Sequence, residues 1–342
     1  MHEWPACVEL ERRMSSSARA GAGAPSPPDA SLARRCTGDV HSRRVSKPGA
    51  GTCDGELRSA AKGVGARRLL AGRAALPSGV ELPRHEIHRF VTALFEGGSL
   101  PAVVEDEEGV LQLAKWRGAG QGPAALVAEV IAGELARRAG LRVPALSVLS
   151  LERDIAQTER HDEIHDLLMA SLGNNLGMAF LSGALAYDPA AEMPLEPEEA
   201  AAIVLFDAYV TNVDRTARNT NLLWCGGELW LIDHGAAMYW HHGWDGKVNA
   251  PGRDMPGMAD HVLLPRAASL STVSDRMLDA WSDAAIAEAV SAVPSEWLLA
   301  ADVESADVRR AAYVEFLAAR RDAARGEGPN WLTKAEALRA GL

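Results

Sequence analysis

Apolar and polar positions follow one another along the chain in a way that predicts strands first and helices afterwards. Two short apolar runs flank a polar stretch that ends in Gly109, which is typical of a β-hairpin. The next long run has apolar residues at helical spacing and stops at Gly140, a suitable residue for a helix end. The pattern predicts a small sheet crossed by one helix, with helices at 85–95 and 124–139 and strands at 100–104, 110–116, 145–151 and 178–181.

The rest of the chain has a mainly helical pattern, interrupted by one more hairpin. A helix predicted from Glu196 to about Val210 begins with acidic side chains, which the helix dipole favours at that end. It leads into a polar loop at 211–221, and Asp233 directly follows the hairpin after that loop. The predicted strands of this hairpin are 222–224 and 229–232, and amphipathic runs predict helices at 284–293, 307–321 and 334–339.

Composition divides the chain at about residue 80. Residues 1–80 hold 13 Lys+Arg against 7 acids, a net charge of +6, and Trp4 is their sole aromatic residue. Ala, Gly, Pro and Ser dominate from Ser15 to Gly55, and such a segment buries too little apolar surface to offset the entropy of ordering it. We therefore predict a disordered, low-complexity basic tail at 1–80, most simply a linker or an upstream extension from a misplaced start codon. A nucleic-acid-binding arm is the alternative, but no aromatics for base stacking lie between the scattered arginines.

Residues 81–342 form the predicted folded part and carry a net charge of −17, since the whole chain has −11. An acidic domain repels nucleic acid and anionic membranes, so its charge favours a small-molecule or protein partner. No stretch approaches the roughly 18 to 20 apolar residues of a membrane span. The four cysteines form no CxxC pair. These features together lead us to expect a cytoplasmic protein.

Five polar residues stand in the order that phosphoryl transfer requires. Lys115 lies on the second strand of the first hairpin, and Glu129 lies on the following helix, where it would pair with that lysine. Asp214 and Asn219 share the polar loop, and Asp233 ends the next hairpin. In phosphoryl transfer a loop Asp accepts the hydroxyl proton, an Asn and an Asp hold Mg²⁺, and a lysine clamps the phosphates. The ordered set predicts a kinase that uses ATP and Mg²⁺.

The same residues carry a family resemblance. The segment from Asn212 to Leu223 and the segment from Leu231 to Ala236 resemble the catalytic and metal-binding segments of the HipA-like kinases, in particular the short bacterial branch. They also resemble the corresponding pattern of phosphatidylinositol 3- and 4-kinases, which share the broader fold. Further segments are similar to that family in the same order, namely 113–118, 128–133, 177–181, 261–265 and 296–298.

The resemblance implies a role for each of the five residues. Asp214 would be the catalytic aspartate, and Asn219 and Asp233 would be magnesium ligands. Lys115 would contact the ATP phosphates, with Glu129 as its ion-pair partner. Asn221 is an alternative to Asn219, because it directly precedes the apolar pair of the next strand, as the metal-binding Asn does in related kinases. The spacing from Asp214 favours Asn219, and both are kept as candidates.

The loop that covers the phosphates has two candidates. One is Gly97-Gly98-Ser99, before the first strand of the hairpin, and the other is the Gly-rich connector at 118–122. Backbone N–H groups in either loop would face an anion. His234 directly follows the metal-binding Asp233, so we also expect it to line the nucleotide site.

Three further residues near the loop have open roles. Arg215 and Arg218 would either stabilise the transferred phosphoryl group or hold the loop by pairing with acids. For Asp207, on the helix that leads to the loop, we favour a structural role as a buried hydrogen-bond acceptor over an exposed helical acid.

These features together predict an α+β, bilobal protein-kinase-like fold. A small lobe of sheet plus helix would span about 81–180, and a mainly helical lobe about 181–342, with ATP and Mg²⁺ between them. The resemblance implies phosphorylation of Ser or Thr in a protein. A kinase of a lipid or small-molecule hydroxyl is the alternative enzyme, and a nucleotide-binding pseudokinase that regulates a partner is the alternative from another class. The intact lysine, Asp214, Asn219 and Asp233 argue for catalysis.

Overall fold

Five strands near the start of the described residues close into a barrel. The computed structural model describes residues 81–95, 99–191, 193–243, 251–299 and 305–342, so the predicted tail at 1–80 lies outside the described residues. The strands are β1 (Arg84–Ala93), β2 (Ala102–Asp106), β3 (Leu111–Lys115), β4 (Leu146–Leu151) and β5 (Gly173–Ala179). They pair in the order β1-β2-β3-β5-β4, and a parallel pairing of β1 with β4 closes the barrel. The other four pairings are antiparallel.

Strand β1 corrects the helix predicted at 85–95. Ile87 and Phe90 are three residues apart, which is a helical spacing, yet both pack on the apolar cluster of the barrel. The ladder between β1 and β2 shifts register between Ile87 and Arg89 and again between Phe90 and Thr92. Such a bulge adds one residue to a strand, so positions three apart reach the same face. The predicted small sheet is therefore a closed barrel.

A long buried helix separates β3 from β4. Helix α1 (Gly122–Arg138) has Pro123 in its first turn, where the missing N–H costs nothing, and every residue from Ala125 to Ala136 is buried. Two helices that the sequence pattern did not predict, α2 (Arg153–Ala156) and α3 (Asp162–Ala170), fill the polar interval before β5. They bury few side chains, and the apolar signal for them is correspondingly weak.

The second part begins with a three-stranded sheet and a core helix. The sheet has the order β6-β7-β8, with β6 (Leu185–Ala186), β7 (Leu222–Cys225) and β8 (Glu228–Leu231). Helix α4 (Pro197–Val210) lies between β6 and β7 in the chain and is buried from Ala200 to Val210. It ends at Thr211, whose φ of 55° is left-handed. The predicted hairpin and the helix before it are thus confirmed.

Helices make up the remaining described chain. Short 3₁₀ helices occur at Tyr239–Gly243, Met258–Asp260 and Leu264–Arg266. They are followed by α5 (Ser271–Ala280), α6 (Asp283–Ser291), α7 (Ser295–Leu298), α8 (Ala306–Arg325) and α9 (Trp331–Ala340). One apolar core joins α1 and α4 to these helices, which fixes the barrel end of β3 close to the loop after α4. Among the described residues, none of the helices is both long and apolar enough to cross a membrane.

Candidate active site

A cleft of about 540 Å³ lies between the end of the barrel and the loop that joins α4 to β7. Strand residues such as Leu113 and Met178 form one side, and the loop and the chain after β8 form the other. Six residues proposed from sequence line this cleft, namely Ser99, Lys115, Asp214, Asn219, Asn221 and Asp233. They come from four separate segments of the chain, so their convergence is a property of the fold.

Lys115 connects β3 to helix α1 and to the chain after β8. It is the last residue of β3, paired with Leu176 of β5, and its side chain is only 11% exposed. Its Nζ donates to a carboxylate oxygen of Glu129 and, at 2.7 Å, to Asp233 Oδ1. Burial by itself would lower the pKa of Lys115, but the negative charges of Glu129 and Asp233 outweigh burial and raise that pKa. The lysine is therefore a permanent cation in the cleft.

Glu129 is the buried partner of this lysine. Helix α1 holds its side chain at 1% exposure, and the charge of Lys115 lowers the pKa of Glu129 even though burial opposes the shift. His234 Nδ1 lies 3.5 Å from Glu129 Oε2, and the His234 ring contacts Phe206 edge-on. Neither ring nitrogen of His234 has a hydrogen-bond partner among the described residues.

The structure places His234 differently from the expectation. Its side chain is fully buried behind Glu129 and does not line the cleft. Ser99 lines the cleft, whereas Gly97 and Gly98 lie outside the described residues. From the other Gly-rich candidate, the connector at 118–122, Gln121 lines the cleft.

The polar loop gathers two amides around one carboxylate. Asn219 Nδ2 donates to Asp214 Oδ2 at 2.7 Å, and Asn221 Nδ2 donates to the same oxygen at 3.4 Å. Partial burial raises the pKa of Asp214, and the charge of Asp233 adds to the rise, while the two amide hydrogen bonds oppose it. Because both amides use their N–H groups on Asp214, their oxygens remain available to a cation.

A buried ionic cluster lies beneath the loop. Asp207 on α4 is fully buried and accepts hydrogen bonds from Arg215 Nε at 2.6 Å and from Asn212 Nδ2 at 2.9 Å. His261 Nε2 lies 3.0 Å from the same carboxylate. The structural role expected for Asp207 is confirmed. Of the two arginines, Arg215 holds the loop from inside, and the exposed Arg218 lines the cleft.

Three backbone positions around the site adopt left-handed φ without being glycine. They are Thr211 with φ 55°, Asn221 with φ 49° and Asp233 with φ 56°. Asn and Asp tolerate this conformation better than other residues, but it costs free energy relative to the ordinary regions. Such positions persist where the surrounding structure holds them, and they are frequent at functional sites.

An apolar wall extends the cleft beyond the charged residues. Leu113, Met178, Leu223 and Ile232 line both the cleft and a small adjoining pocket, which Phe180 completes. The sequence analysis did not single out the first four as site residues. Their apolar character, in or directly after a strand, marks them only as core positions. The sequence of a single strand carries no signal that separates a pocket wall from a core.

The residues present fit a magnesium ion of the kind held with a nucleotide. Among the described residues, no three or more His, Cys, Asp or Glu side chains gather as they would around an ion bound by protein alone. The donors are instead one carboxylate, Asp233, which is 46% exposed, and the amide oxygens of Asn219 and Asn221. Mg²⁺ prefers such oxygen donors, takes few from the protein and completes its shell with water and substrate phosphates.

A family comparison identifies the class of protein. The family model described as "HipA-like kinase" matches residues 87–322, which is more than half of the chain. The chain therefore belongs to the HipA-like kinase family, and it is a kinase, a phosphotransferase. The resemblance inferred from the sequence motifs is confirmed.

A solved structure, the Helicobacter pylori proinflammatory kinase CtkA, is similar over 76% of this chain and 99% of its own, at 11% identity and a TM-score of 0.45. No curated protein sequence matches this chain.

Proposed function

We propose that this kinase transfers the γ-phosphoryl group of ATP, with Mg²⁺, to a Ser or Thr hydroxyl of a protein. The observation that carries the proposal is the convergence of Lys115, Asp214 and Asp233 in one cleft. They come from β3, from the loop before β7 and from the end of the β8 hairpin. Phosphoryl transfer depends mainly on charged groups held in the right positions. A lysine and two aspartates are the charged groups that kinases use for it.

The ATP molecule would lie in the cleft between two lobes. The barrel with α1 would be the small lobe, about 81–180, and the sheet and helices after it the large lobe, about 181–342. The adenine ring would pack on the apolar wall formed by Leu113, Met178 and Ile232, which the apolar character of these side chains supports. The phosphates would then extend toward Lys115 and Ser99, which lie at the polar end of the same cleft.

The metal would be held at the ends of β7 and β8. Asp233 would supply a carboxylate oxygen, and Asn219 and Asn221 would supply amide oxygens. A bound Mg²⁺ would neutralise phosphate charge in this position. The hydrogen bond between Ile232 N and the Asn221 carbonyl, 3.1 Å, supports this assignment, because it keeps Asn221 and Asp233 on neighbouring strand ends.

Asp214 would orient the acceptor hydroxyl and take its proton. The hydroxyl oxygen forms a bond to the γ-phosphorus, the bond to the bridging oxygen of ADP breaks, and the hydroxyl proton passes to Asp214. Two amide N–H groups hold Asp214 Oδ2, which leaves Oδ1 for the acceptor. Arg218, the other cleft-lining cation among the described residues, would face the transferred group.

The decisive experiment compares the wild type with Asp214→Asn. We expect Asp214→Asn to lower phosphoryl transfer from labelled ATP by at least about 100-fold, the low end of what a positioned general base contributes. Affinity for ATP·Mg²⁺, measured by calorimetry, should change little because Asp214 is not a proposed metal ligand. Asp275→Asn, on an exposed face of α5, removes the same charge away from the cleft and should keep full activity.

The same pair of proteins tests the alternatives. If the wild type and Asp214→Asn bind ATP equally and neither transfers phosphate, the protein is a nucleotide-binding pseudokinase. A phosphoproteomic comparison of cells that carry either form would identify Ser/Thr acceptors. Phosphate incorporation into lipid or small molecules without any protein acceptor would contradict the protein-kinase proposal.

A further inference from the structure

The buried cluster beneath the catalytic loop contacts the two strand ends that carry the metal-binding candidates. Arg215 is 1% exposed, and its Nη1 donates to the carbonyl oxygen of Asn221 and, at 3.4 Å, approaches that of Ile232. Asn221 is itself a candidate ligand, and Ile232 directly precedes Asp233. One guanidinium group therefore holds the backbone at both metal-binding positions.

These two positions are the ones that need to be held. Asn221 and Asp233 both have left-handed φ values. Without contacts that hold them, their backbones would adopt φ/ψ regions of lower energy. In the left-handed conformation the two residues share the end of the β7–β8 ladder, where Ile232 N donates to the Asn221 carbonyl. The guanidinium group adds a charge-assisted donor to the same carbonyl, and such bonds are stronger than neutral ones.

Arg215 is itself fixed from the other side. Asp207 receives its Nε at 2.6 Å and its Nη2 at 3.5 Å, so the guanidinium plane has little freedom to turn. The positive charge of Arg215 keeps the pKa of Asp207 low despite complete burial, so the carboxylate stays ionised. A buried ion pair of this kind is stable only when the remaining donors and acceptors of both side chains also have hydrogen-bond partners.

His261 completes the cluster from a segment 54 residues after Asp207. Its Nδ1 accepts a hydrogen bond from Leu263 N at 3.1 Å, which leaves the proton on Nε2 to be donated to Asp207 at 3.0 Å. The backbone of the same segment also pairs with the catalytic loop, since Val262 N donates to the Arg215 carbonyl at 3.1 Å. The loop is thus held through a side chain and through its backbone.

We propose that Arg215 is a positioning residue that sets the divalent-cation affinity of the site, by holding Asn221 and Asp233 in register under the restraint of Asp207 and His261. The inference rests on the proposed use of Mg²⁺, and it adds which residue sets the affinity of the site for that ion. Groups that orient metal ligands from behind typically account for about 10- to 100-fold of metal affinity.

The chain contains a matched control for this role. Arg320 on α8 is also 1% exposed and donates to backbone carbonyls, those of Ala208, Tyr209, Pro251 and Arg253. None of these four carbonyls belongs to a cleft-lining residue. Arg320→Lys therefore removes a comparable buried network without touching the strand ends.

The experiment compares Arg215→Lys with Arg320→Lys in the full chain. Binding of a fluorescent ADP analogue is titrated with Mg²⁺, and thermal unfolding is followed in parallel. We expect both variants to unfold at lower temperature. Arg215→Lys alone should need about 10- to 100-fold more Mg²⁺ for half-maximal binding. An unchanged Mg²⁺ requirement in Arg215→Lys, or an equal rise in Arg320→Lys, would overturn the positioning role.

A second variant covers the case in which Arg215→Lys does not fold. His261→Gln retains an N–H donor for Asp207 and loses the ring acceptor for Leu263 N. The variant therefore weakens the contacts of the cluster without removing the ion pair between Asp207 and Arg215. It should raise the Mg²⁺ requirement in the same direction by a smaller factor, and an unchanged requirement would contradict the proposal. A wild type without Mg²⁺-dependent nucleotide binding would instead refute the proposed function, so the two failures are distinguishable.

Discussion

Asp207 anchors the polar loop at 211–221 from beneath. Its carboxylate receives Arg215, Asn212 and His261 while it is fully buried, and it lies one helical turn before the end of α4. Burial alone would raise the pKa of Asp207, but the charge of Arg215 and the hydrogen bonds from His261 and Arg215 lower it well below its ordinary value. The folded state therefore binds the Asp207 proton more weakly than the unfolded state does.

This difference predicts how stability depends on pH. A carboxyl group whose pKa is lowered by folding stabilises the protein fully above its unfolded pKa of about 3.9, and its contribution is lost as pH falls further toward the folded value. Asp207→Asn should lower the free energy of unfolding at pH 7 by about 3–5 kcal/mol, because it leaves Arg215 buried without its partner. Urea unfolding at pH 7 and pH 3 should show a smaller difference from wild type at pH 3. A difference independent of pH would argue against an ionised Asp207.

At the scale of single residues, the sequence order predicted most of the site. Lys115, Asp214, Asn219, Asn221 and Asp233 line one cleft, and Glu129 pairs with Lys115. The position of His234 beside Asp233 did not predict its burial near Glu129, because consecutive residues need not face the same side of the chain. His261 was missed as a member of the site, since a histidine 54 residues from Asp207 gives no local signal of that contact.

At the scale of elements, the barrel depends on close packing around Gly177 of β5. Gly177 faces a chain of buried polar groups, in which Ser147 Oγ donates to Gln112 Oε1 and Gln112 Nε2 donates to Asp106 Oδ2. A Cβ atom at Gly177 would overlap Ser147 Oγ and would lie 2.6 Å from Gln112 Oε1, closer than real Cβ contacts come. Glycine is required there by space and not by an unusual φ.

Gly177→Ala should therefore destabilise the barrel. Overpacking of this kind typically costs about 1–3 kcal/mol, and displacement of the Gln112 hydrogen bonds would add to it. Gly120→Ala is the matched control, because a Cβ at Gly120 would meet nothing within 4 Å. Urea unfolding of both variants should show a loss for Gly177→Ala alone. Equal stability of the two variants would mean that β5 can shift to admit a methyl group.

The elements themselves differ in how well the sequence pattern predicted them. Helices α1 and α4 and both hairpins were predicted close to their bounds, because each has a long apolar run or a hairpin turn signal. Strand β1 was wrongly predicted as a helix, since bulges in its ladder with β2 give it a helical spacing of apolar residues. Helix α3 was missed because it buries only Ile164 and Leu168.

At the scale of the whole molecule, the predicted division at residue 80 is open to a direct test. Leu82, near the start of the described residues, is in the apolar core, and residues 81–342 hold all the proposed site residues. The basic composition of residues 1–80 predicts no contribution to that core.

Removal of residues 1–80 should then leave the thermal unfolding temperature and the nucleotide affinity within error of the full chain. Differential scanning calorimetry and binding of the fluorescent ADP analogue would measure these quantities. A large fall in either one would show that the basic segment packs on the folded part, contrary to its composition. Removal of residues 1–94, which deletes β1 as well, should abolish cooperative unfolding because the barrel loses the strand that closes it.

The amino-acid sequence by itself determined the chemistry of this protein, because the residue types and their order along the chain are those of a kinase and are local properties. Only the tertiary structure decided which of these residues meet. The closed barrel brings Lys115 to Asp233, and the buried side chains of Asp207, Arg215 and His261 hold the loop and the strand ends together. Contacts across 50 to more than 100 residues depend on how elements pack, and packing is a property of the whole core.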